Sequence, residues 1–273
     1  MENGTITYTQ LLREDLGIFR VTPDDGVPEF KAGQFLTLGL PLESKIINRA
    51  YSIASSPENK KYFEFVIRWV RRPIPGRLTS LLFDAKEGDK ISWTKPIGNL
   101  TINDTLPNGE KDTRRIICIG GGTGLAPFVS FAQHLHNTND KREIVVLHGA
   151  SYVDELSYKQ LLTDLENESI DKGKDKWNFK YRAAISRPEE WTNRAWNGHK
   201  GRIEQFLRSN DASKSPLEEL IGEKITKDNT IFYVCGWQGT IDGTMDYLKT
   251  KNFVTEKSKR EDGSYEVKFE SYG

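Results

Sequence analysis

Gly120-Gly121-Gly122-Thr123-Gly124-Leu125-Ala126-Pro127 is the stretch whose reading decides the fold. It follows the apolar run Ile116-Ile117-Cys118-Ile119 and precedes a helical pattern over Phe128 to His136. Glycines lack Cβ atoms, so the backbone there can approach a pyrophosphate closely. Pro127 suits a first helical turn, where its missing N–H costs nothing, and that end of a helix attracts anions. Leu125 stands where the third glycine of Gly-x-Gly-x-x-Gly would fall, and no Gly-Lys-Ser/Thr follows, so this is not a Walker loop. A tight turn is the plain alternative, but four glycines in five positions between strand and helix favour phosphate binding.

Working outward, Ile144-Val145-Val146-Leu147, Tyr181 to Ile185 and Ile231-Phe232-Tyr233-Val234 read as further buried parallel strands. Helices are expected at Leu156 to Leu165, Ile203 to Leu207 and Gly243 to Leu248. Alternation of this kind marks a doubly wound parallel sheet that binds a nucleotide. Before it, Ile18 to Val21, Phe35 to Leu38, Tyr51 to Ala54, Phe63 to Val70 and Ile91 to Thr94 are short β-branched and aromatic runs, punctuated by Gly33, Gly39, Pro41 and Pro57. They predict an antiparallel β-barrel with one helix, Leu78 to Phe83, entered through Pro75-Gly76. Residues 103–112 are rich in Asn, Asp, Pro, Gly and Lys, a linker composition. The expected domains are 1–105, the barrel, and 106–273, the α/β sheet with a C-terminal tail.

Composition narrows the function classes. Thirty-nine basic and 39 acidic side chains balance in 273 residues, which argues against bulk nucleic-acid binding. No run approaches the roughly 20 apolar residues that a membrane helix needs. The start, Met1-Glu2-Asn3-Gly4, lacks a signal-peptide pattern. Cys118 and Cys235 are too few for a cysteine-ligated cluster or a disulfide scaffold, so no metal and a reducing cytoplasm are expected.

The choice of dinucleotide falls to the next strand tips. The second parallel strand ends Leu147-His148-Gly149-Ala150-Ser151, with no acid at its tip for a ribose 2′-hydroxyl. Ser186-Arg187 ends the third, and Arg202 follows. A hydroxyl and two guanidinium groups there favour the 2′-phosphate of NADP, against the alternative of solvated surface charges.

Arg49-Ala50-Tyr51-Ser52, Gly76-Arg77-Leu78-Thr79, Gly121 to Pro127, Ala150 to Tyr158, Ser186-Arg187 with Gly201-Arg202-Ile203, Cys235-Gly236 and Glu270-Ser271-Tyr272 occur in one order along nearly the whole chain. The set resembles the ferredoxin–NADP reductase family, especially its bacterial flavoprotein branch, which joins an FAD-binding barrel to an NADP-binding domain. The resemblance implies that Arg49 pairs with the FAD pyrophosphate, Tyr51 packs on the isoalloxazine and Ser52 hydrogen-bonds near flavin N5. In a strand Arg49 and Tyr51 share a side and Ser52 points oppositely, so a twist or bulge must help all three reach one ligand. Gly76, Arg77, Leu78 and Thr79 are similar to a second pyrophosphate clamp, Val66 and Arg68 to flavin-lining positions, and Thr123 to a contact with both cofactors.

On the same resemblance Gly122, Thr123, Gly124, Ser151, Ser186, Arg187, Arg202, Gly236 and Gln238 would bind NADP(H). Cys235 would border the nicotinamide as a catalytic-site residue, though a lone strand cysteine is by default a small buried hydrophobe. Two departures stand out. Ser151 replaces an arginine common in similar enzymes, and the chain ends Tyr272-Gly273, leaving Tyr272 to supply the terminal ring over the flavin or to fray.

The implied activity is hydride exchange with NADP(H) and single-electron exchange with a ferredoxin or flavodoxin, a separate polypeptide, by a monomer. Arg68, Arg71, Arg72 and Arg77 would steer an acidic carrier, or else form a solvated surface. The rivals are a reductase component of an oxygenase or a free flavin reductase and, from another class, a non-catalytic nucleotide-sensing or partner-binding module.

Overall fold

The structure, a computed structural model, describes residues 1–71, 76–209 and 214–271. Arg72, Pro75 and Tyr272, each singled out above, lie outside those residues. The chain forms two compact units, one of residues 1–102 with 126–138 and the other of 103–125 with 139–273.

The first unit is built on a six-stranded antiparallel sheet: β1 (Glu2–Arg13), β2 (Leu16–Pro23), β3 (Phe35–Leu42), β4 (Lys45–Ser52), β5 (Phe63–Arg68) and β6 (Lys90–Trp93). Their order is β4-β3-β6-β1-β2-β5. The two edges approach each other just past β4, where Ala54 N–H donates to Glu64 O at 2.8 Å and Ser55 Oγ accepts from Glu64 N–H at 3.1 Å. Each strand turns alternate side chains inward, and Ile6, Phe19, Val21, Leu36, Phe63, Phe65 and Trp93 form a dry core. Helix α1 (Arg77–Asp84) caps it with Leu78 and Leu82. Strand β1 is absent from the sequence reading, and β4 begins six residues before Tyr51 and ends at Ser52 rather than Ala54.

Helix α2 (Ala126–Asn137) belongs to this unit. Ser130 Oγ donates to Ser55 O at 2.8 Å and Gln133 to Ala54 O at 3.0 Å. His134 and Glu58 meet at 2.7 Å, and Glu58 also accepts from Ser56. Burial pushes the Glu58 carboxyl up, but the Ser56 and His134 hydrogen bonds outweigh it and hold the group below its ordinary value.

In the second unit β7 (Arg115–Gly121), β8 (Ile144–Ala150), β9 (Phe179–Ile185), β10 (His199–Lys200), β11 (Thr230–Gly236) and β12 (Val267–Ser271) are all parallel. Their order is β10-β9-β8-β7-β11-β12, so the winding direction reverses between β7 and β11. Near-continuous burial of β7, β8 and β11 explains why their sequences are apolar on both faces. Helices α3 (Lys159–Lys172), α4 (Pro216–Ile221) and α5 (Gln238–Thr250) complete the unit.

Two helix expectations need correction. Leu156 lies before α3, because Val153–Glu155 forms a 3₁₀ turn and Tyr158 takes a left-handed φ of 57°. Ile203–Leu207 is 3₁₀ rather than α, and its Ile203, Phe206 and Leu207 still enter the core.

Residues 103–112 fold back rather than trail. Thr105 and Lys111 bridge, Leu106 N–H donates to Glu110 O, and Arg142 binds Asn103 O at 2.6 Å as well as Asp140 at 2.8 Å. Burial opposes the charge on Arg142, but Asp140 holds it firmly protonated. Replacing a buried member of such a pair leaves its partner uncompensated, so Arg142→Ala should cost about 3 kcal/mol. Denaturant unfolding checks this; a loss under about 1 kcal/mol, the level of a surface pair, would contradict it.

Candidate active site

In the first unit, β4 presents Arg49 and Tyr51 on one side, opposite Leu38 and Leu36 of β3, and Ser52 on the other, opposite Phe35. Arg49 is exposed and donates to the Asn48 carbonyl at 3.1 Å. Tyr51 sits edge-on to Phe65 at 6.5 Å. Its hydroxyl is buried with no hydrogen-bond partner among the described residues, and burial, against the pull of Arg49, pushes it above its ordinary value. A buried phenol normally finds an acceptor. Ser52 and Val66 are buried, Val66 opposite Ile18.

Helix α1 packs against β3 and β4. Gly76 caps it without a side-chain hydrogen bond, and a methyl group there would lie 2.5 Å from Thr79 Oγ1. Thr79 and Ser80 both turn their hydroxyls back onto Gly76 O, at 3.0 and 2.9 Å. The first-turn amides are therefore left to an outside acceptor, the arrangement that binds phosphate. Leu78 contributes a core side chain, so only its backbone is available to a ligand; Arg77 is exposed. The arginine patch is less basic than its sequence: Arg68 pairs with Asp15 at 3.0 Å and Arg71 with Glu14 at 3.5 Å.

In the second unit the glycine loop follows β7 as a 3₁₀ turn, Gly122–Leu125. Its glycines do different work. A methyl at Gly124 would lie 2.3 Å from Cys235 O, one at Gly121 2.6 Å from Thr240 Oγ1, and one at Gly120 2.8 Å from Leu125 Cα. Gly124 and Gly121 let the loop lie against β11 and α5, and Gly120 lets it fold back onto the end of its own strand. Gly122 alone has a positive φ, 57°, with open space where a side chain would be. Gly236 (φ 151°) closes β11 against Gly121, and Cys235 is fully buried with its backbone against Gly124. Gln238 opens α5 and bonds Asp242 at 2.7 Å. Beneath the loop, burial pushes the His148 imidazole down to about 3, so it is neutral at ordinary pH; it meets Tyr181 Oη at 3.2 Å.

The tips of β8 and β9 are tied together by Asn193, which sequence reasoning missed. It is buried, donates to Ser151 O at 3.0 Å and Arg187 O at 2.7 Å, and accepts from Val153 N–H at 2.9 Å. Ser151 N–H meanwhile donates to the buried Glu155 at 3.0 Å. Arg187 donates to Tyr152 Oη at 2.7 Å. Arg202 pairs with Glu204. Ser186 N–H donates to Ala150 O at 2.9 Å, joining the ends of β8 and β9. Ser151, Ser186 and Arg187 are thus one cluster, with Arg202 following the short β10. Asn193→Ala should lower stability by about 2 kcal/mol through the buried backbone groups it abandons. That corresponds to a fall of about 4–8 °C in Tm; a Tm within about 1 °C of wild type would contradict it.

Among the described residues no helix is long and apolar enough to cross a membrane, and no cluster of three His, Cys, Asp or Glu side chains could hold a metal. The oxidoreductase FAD-binding domain family matches residues 4–102, and the oxidoreductase NAD-binding domain family matches residues 118–246. The flavodoxin/ferredoxin–NADP reductase of Buchnera aphidicola is 27% identical over 90% of each chain. The ferredoxin–NADP reductase of Azotobacter vinelandii is 38% identical over 50% of this chain and 49% of its own.

The chain belongs to the ferredoxin–NADP reductase family. It is an oxidoreductase that combines an FAD-binding domain with a nicotinamide-nucleotide domain. Its fold agrees with that of a ferredoxin NADP⁺ reductase from Neisseria gonorrhoeae solved with bound FAD and NADP, at a TM-score of 0.77 and 23% identity over 98% of this chain and 97% of that one. An antiparallel FAD domain followed by a parallel nicotinamide domain is what the sequence leads one to expect.

Proposed function

We propose that this reductase exchanges hydride with NADP(H) and single electrons with a ferredoxin or flavodoxin. Residues 1–105 would form the flavin domain and 106–273 the nucleotide domain. The observation that carries the flavin assignment is the Tyr51 hydroxyl, buried without a partner beside the exposed Arg49 and the uncapped start of α1. A phenol seeking an acceptor, an exposed guanidinium and a turn of open amides fit an aromatic cofactor with a diphosphate. FAD, when bound, supplies the conversion between two-electron and one-electron transfer that a nicotinamide lacks.

The chain's own contribution is positional. Arg49 and the amides of Arg77, Leu78 and Thr79 would hold the diphosphate, with Gly76, whose own N–H donates to Val70 O at 3.2 Å, opening the turn beside them, and Tyr51 and Val66 would orient the ring. Ser52 would offer its hydroxyl to the reacting edge. Gly122, Thr123 and Gly124 would receive the pyrophosphate of the nucleotide, with Gly236, Gln238 and Cys235 shaping the space for its reactive ring. Ser151, Ser186, Arg187 and Arg202 would face the 2′-phosphate.

Ser52→Ala should retain FAD and slow single-turnover flavin bleaching by NADPH about 100- to 1,000-fold, the scale of one lost hydrogen-bond donor at a developing charge. An unchanged rate would remove Ser52 from that role. The acceptor is tested by supplying ferredoxin, flavodoxin, an oxygenase component and free flavin to the NADPH-reduced protein. Fast oxidation by ferredoxin or flavodoxin, slowed by salt, supports the reading; oxidation by free flavin alone overturns it.

A further inference from the structure

We propose that Glu204 sets how strongly this chain prefers one nicotinamide dinucleotide over the other, by restraining Arg202 from a 2′-phosphate. The inference rests on the dinucleotide reading above and goes beyond it, to a residue that opposes the very contact expected of its neighbour.

Arg202 leaves the carboxyl end of the parallel sheet just after Gly201, whose N–H donates to Ile185 O of β9 at 2.9 Å. In a doubly wound sheet the crevice beyond the strand ends receives the dinucleotide, and charges there distinguish a ribose hydroxyl from a ribose phosphate. The Arg202 side chain is 54% exposed, with one Nη lying 3.1 Å from where a methyl would stand on Gly239 at the start of α5. Guanidinium and helix N-terminus would together present two positive features to an anion.

Glu204 cancels part of that field. It is only 7% exposed, and it accepts from Arg202 Nε. Its approach to α5 is possible because residue 243 is glycine: a methyl there would lie 2.9 Å from both Cγ and Oε1 of Glu204. The second carboxylate oxygen, Oε2, is buried with no hydrogen-bond partner among the described residues. The anion is therefore fixed inside the protein and leans on one cation at the surface. If Arg202 turned fully to a phosphate it would strand a buried carboxylate, an expensive arrangement. If it stays, it offers a phosphate a guanidinium already half-neutralised. NADH has a neutral hydroxyl at that position and loses little either way. With Ser151 also uncharged, Arg187, which donates to Tyr152 Oη, is left as the cation of this cluster without a carboxylate partner among the described residues.

Calorimetric titration of the native FAD-loaded chain with adenosine 2′,5′-bisphosphate and with AMP isolates the 2′-phosphate without relying on turnover. Glu204→Gln should tighten the bisphosphate about tenfold and leave AMP within about twofold. In a Glu204→Gln background, Arg202→Ala should abolish that gain. Glu204→Met, which removes the charge at similar volume, gives the same comparison if the amide variant fails to fold. Unchanged bisphosphate affinity, an equal gain for AMP, or a gain that survives loss of Arg202 would overturn the proposal. A native chain that binds neither nucleotide would instead overturn the dinucleotide reading on which it stands.

Discussion

Gly124→Ala is expected to destabilise the second unit by more than about 3 kcal/mol, beyond the usual range for an added methyl group in a packed interior. The obstacle is the backbone at the end of β11: Cys235 O at 2.3 Å, Cys235 C at 2.6 Å and Gly236 Cα at 2.7 Å. A flexible side chain could rotate away, whereas β11 is paired to both β7 and β12 and cannot retreat without breaking a ladder. The corresponding fall in Tm is about 6–12 °C. Gly122→Ala provides the contrast. Nothing lies within 4 Å of a methyl there, and only the positive φ of 57° is penalised, at roughly 1–2 kcal/mol. That variant should fold and bind nucleotide more weakly, because its methyl enters the space left for phosphate. Scanning calorimetry beside nucleotide titration separates the two. Equal Tm values for both variants would refute the division of labour among the loop glycines.

Arg49→Ala should release FAD while leaving the chemistry of the loaded fraction nearly intact. In the protein alone the Arg49 guanidinium is exposed and hydrogen-bonds its neighbour's carbonyl, so its removal costs the fold little. Opposite a diphosphate the same group would form charge-assisted bonds worth about 1.5–3 kcal/mol. The dissociation constant for FAD should therefore rise about 10- to 150-fold. Flavin content after gel filtration and the bleaching rate of the retained fraction are the two readouts. Full retention of FAD would remove Arg49 from the site; retention with a collapsed rate would move it from binding to chemistry.

The parts of the fold that were legible in the sequence are those whose burial is symmetrical. Strands β7, β8 and β11 are apolar on both faces because they lie inside the sheet, and runs such as Ile116 to Ile119 announce this directly. Strand β1 was not legible. Its stretch from Glu2 to Arg13 buries little besides Gly4 and Ile6, and it is a strand because β2 and β6 pair with it from elsewhere in the chain. Strand β12 is hidden likewise by Lys268 and Glu270, charged residues held in register against Tyr233 and Cys235 by parallel pairing.

The candidate site divides along the same line. That residues 120–124 had to be glycine-rich could be read locally, but the reason for Gly121 and Gly124 lies more than a hundred residues away, at Thr240 and Cys235. Asn193 sits in a polar loop with no local mark, and its partners Ser151 and Val153 lie about forty positions earlier. Glu204 stands two residues from Arg202, yet only the packing of α5 around Gly243 makes it a buried counter-charge.

Anaerobic titration of the purified, FAD-loaded protein with NADPH, followed by addition of oxidised ferredoxin or flavodoxin, tests the central claim most directly. The visible flavin absorbance should bleach with about one equivalent of NADPH and return as the carrier is reduced, two carriers of one electron each for every hydride taken up. A colourless protein that retains no flavin, or a yellow one that neither NADPH nor NADH bleaches, would contradict it.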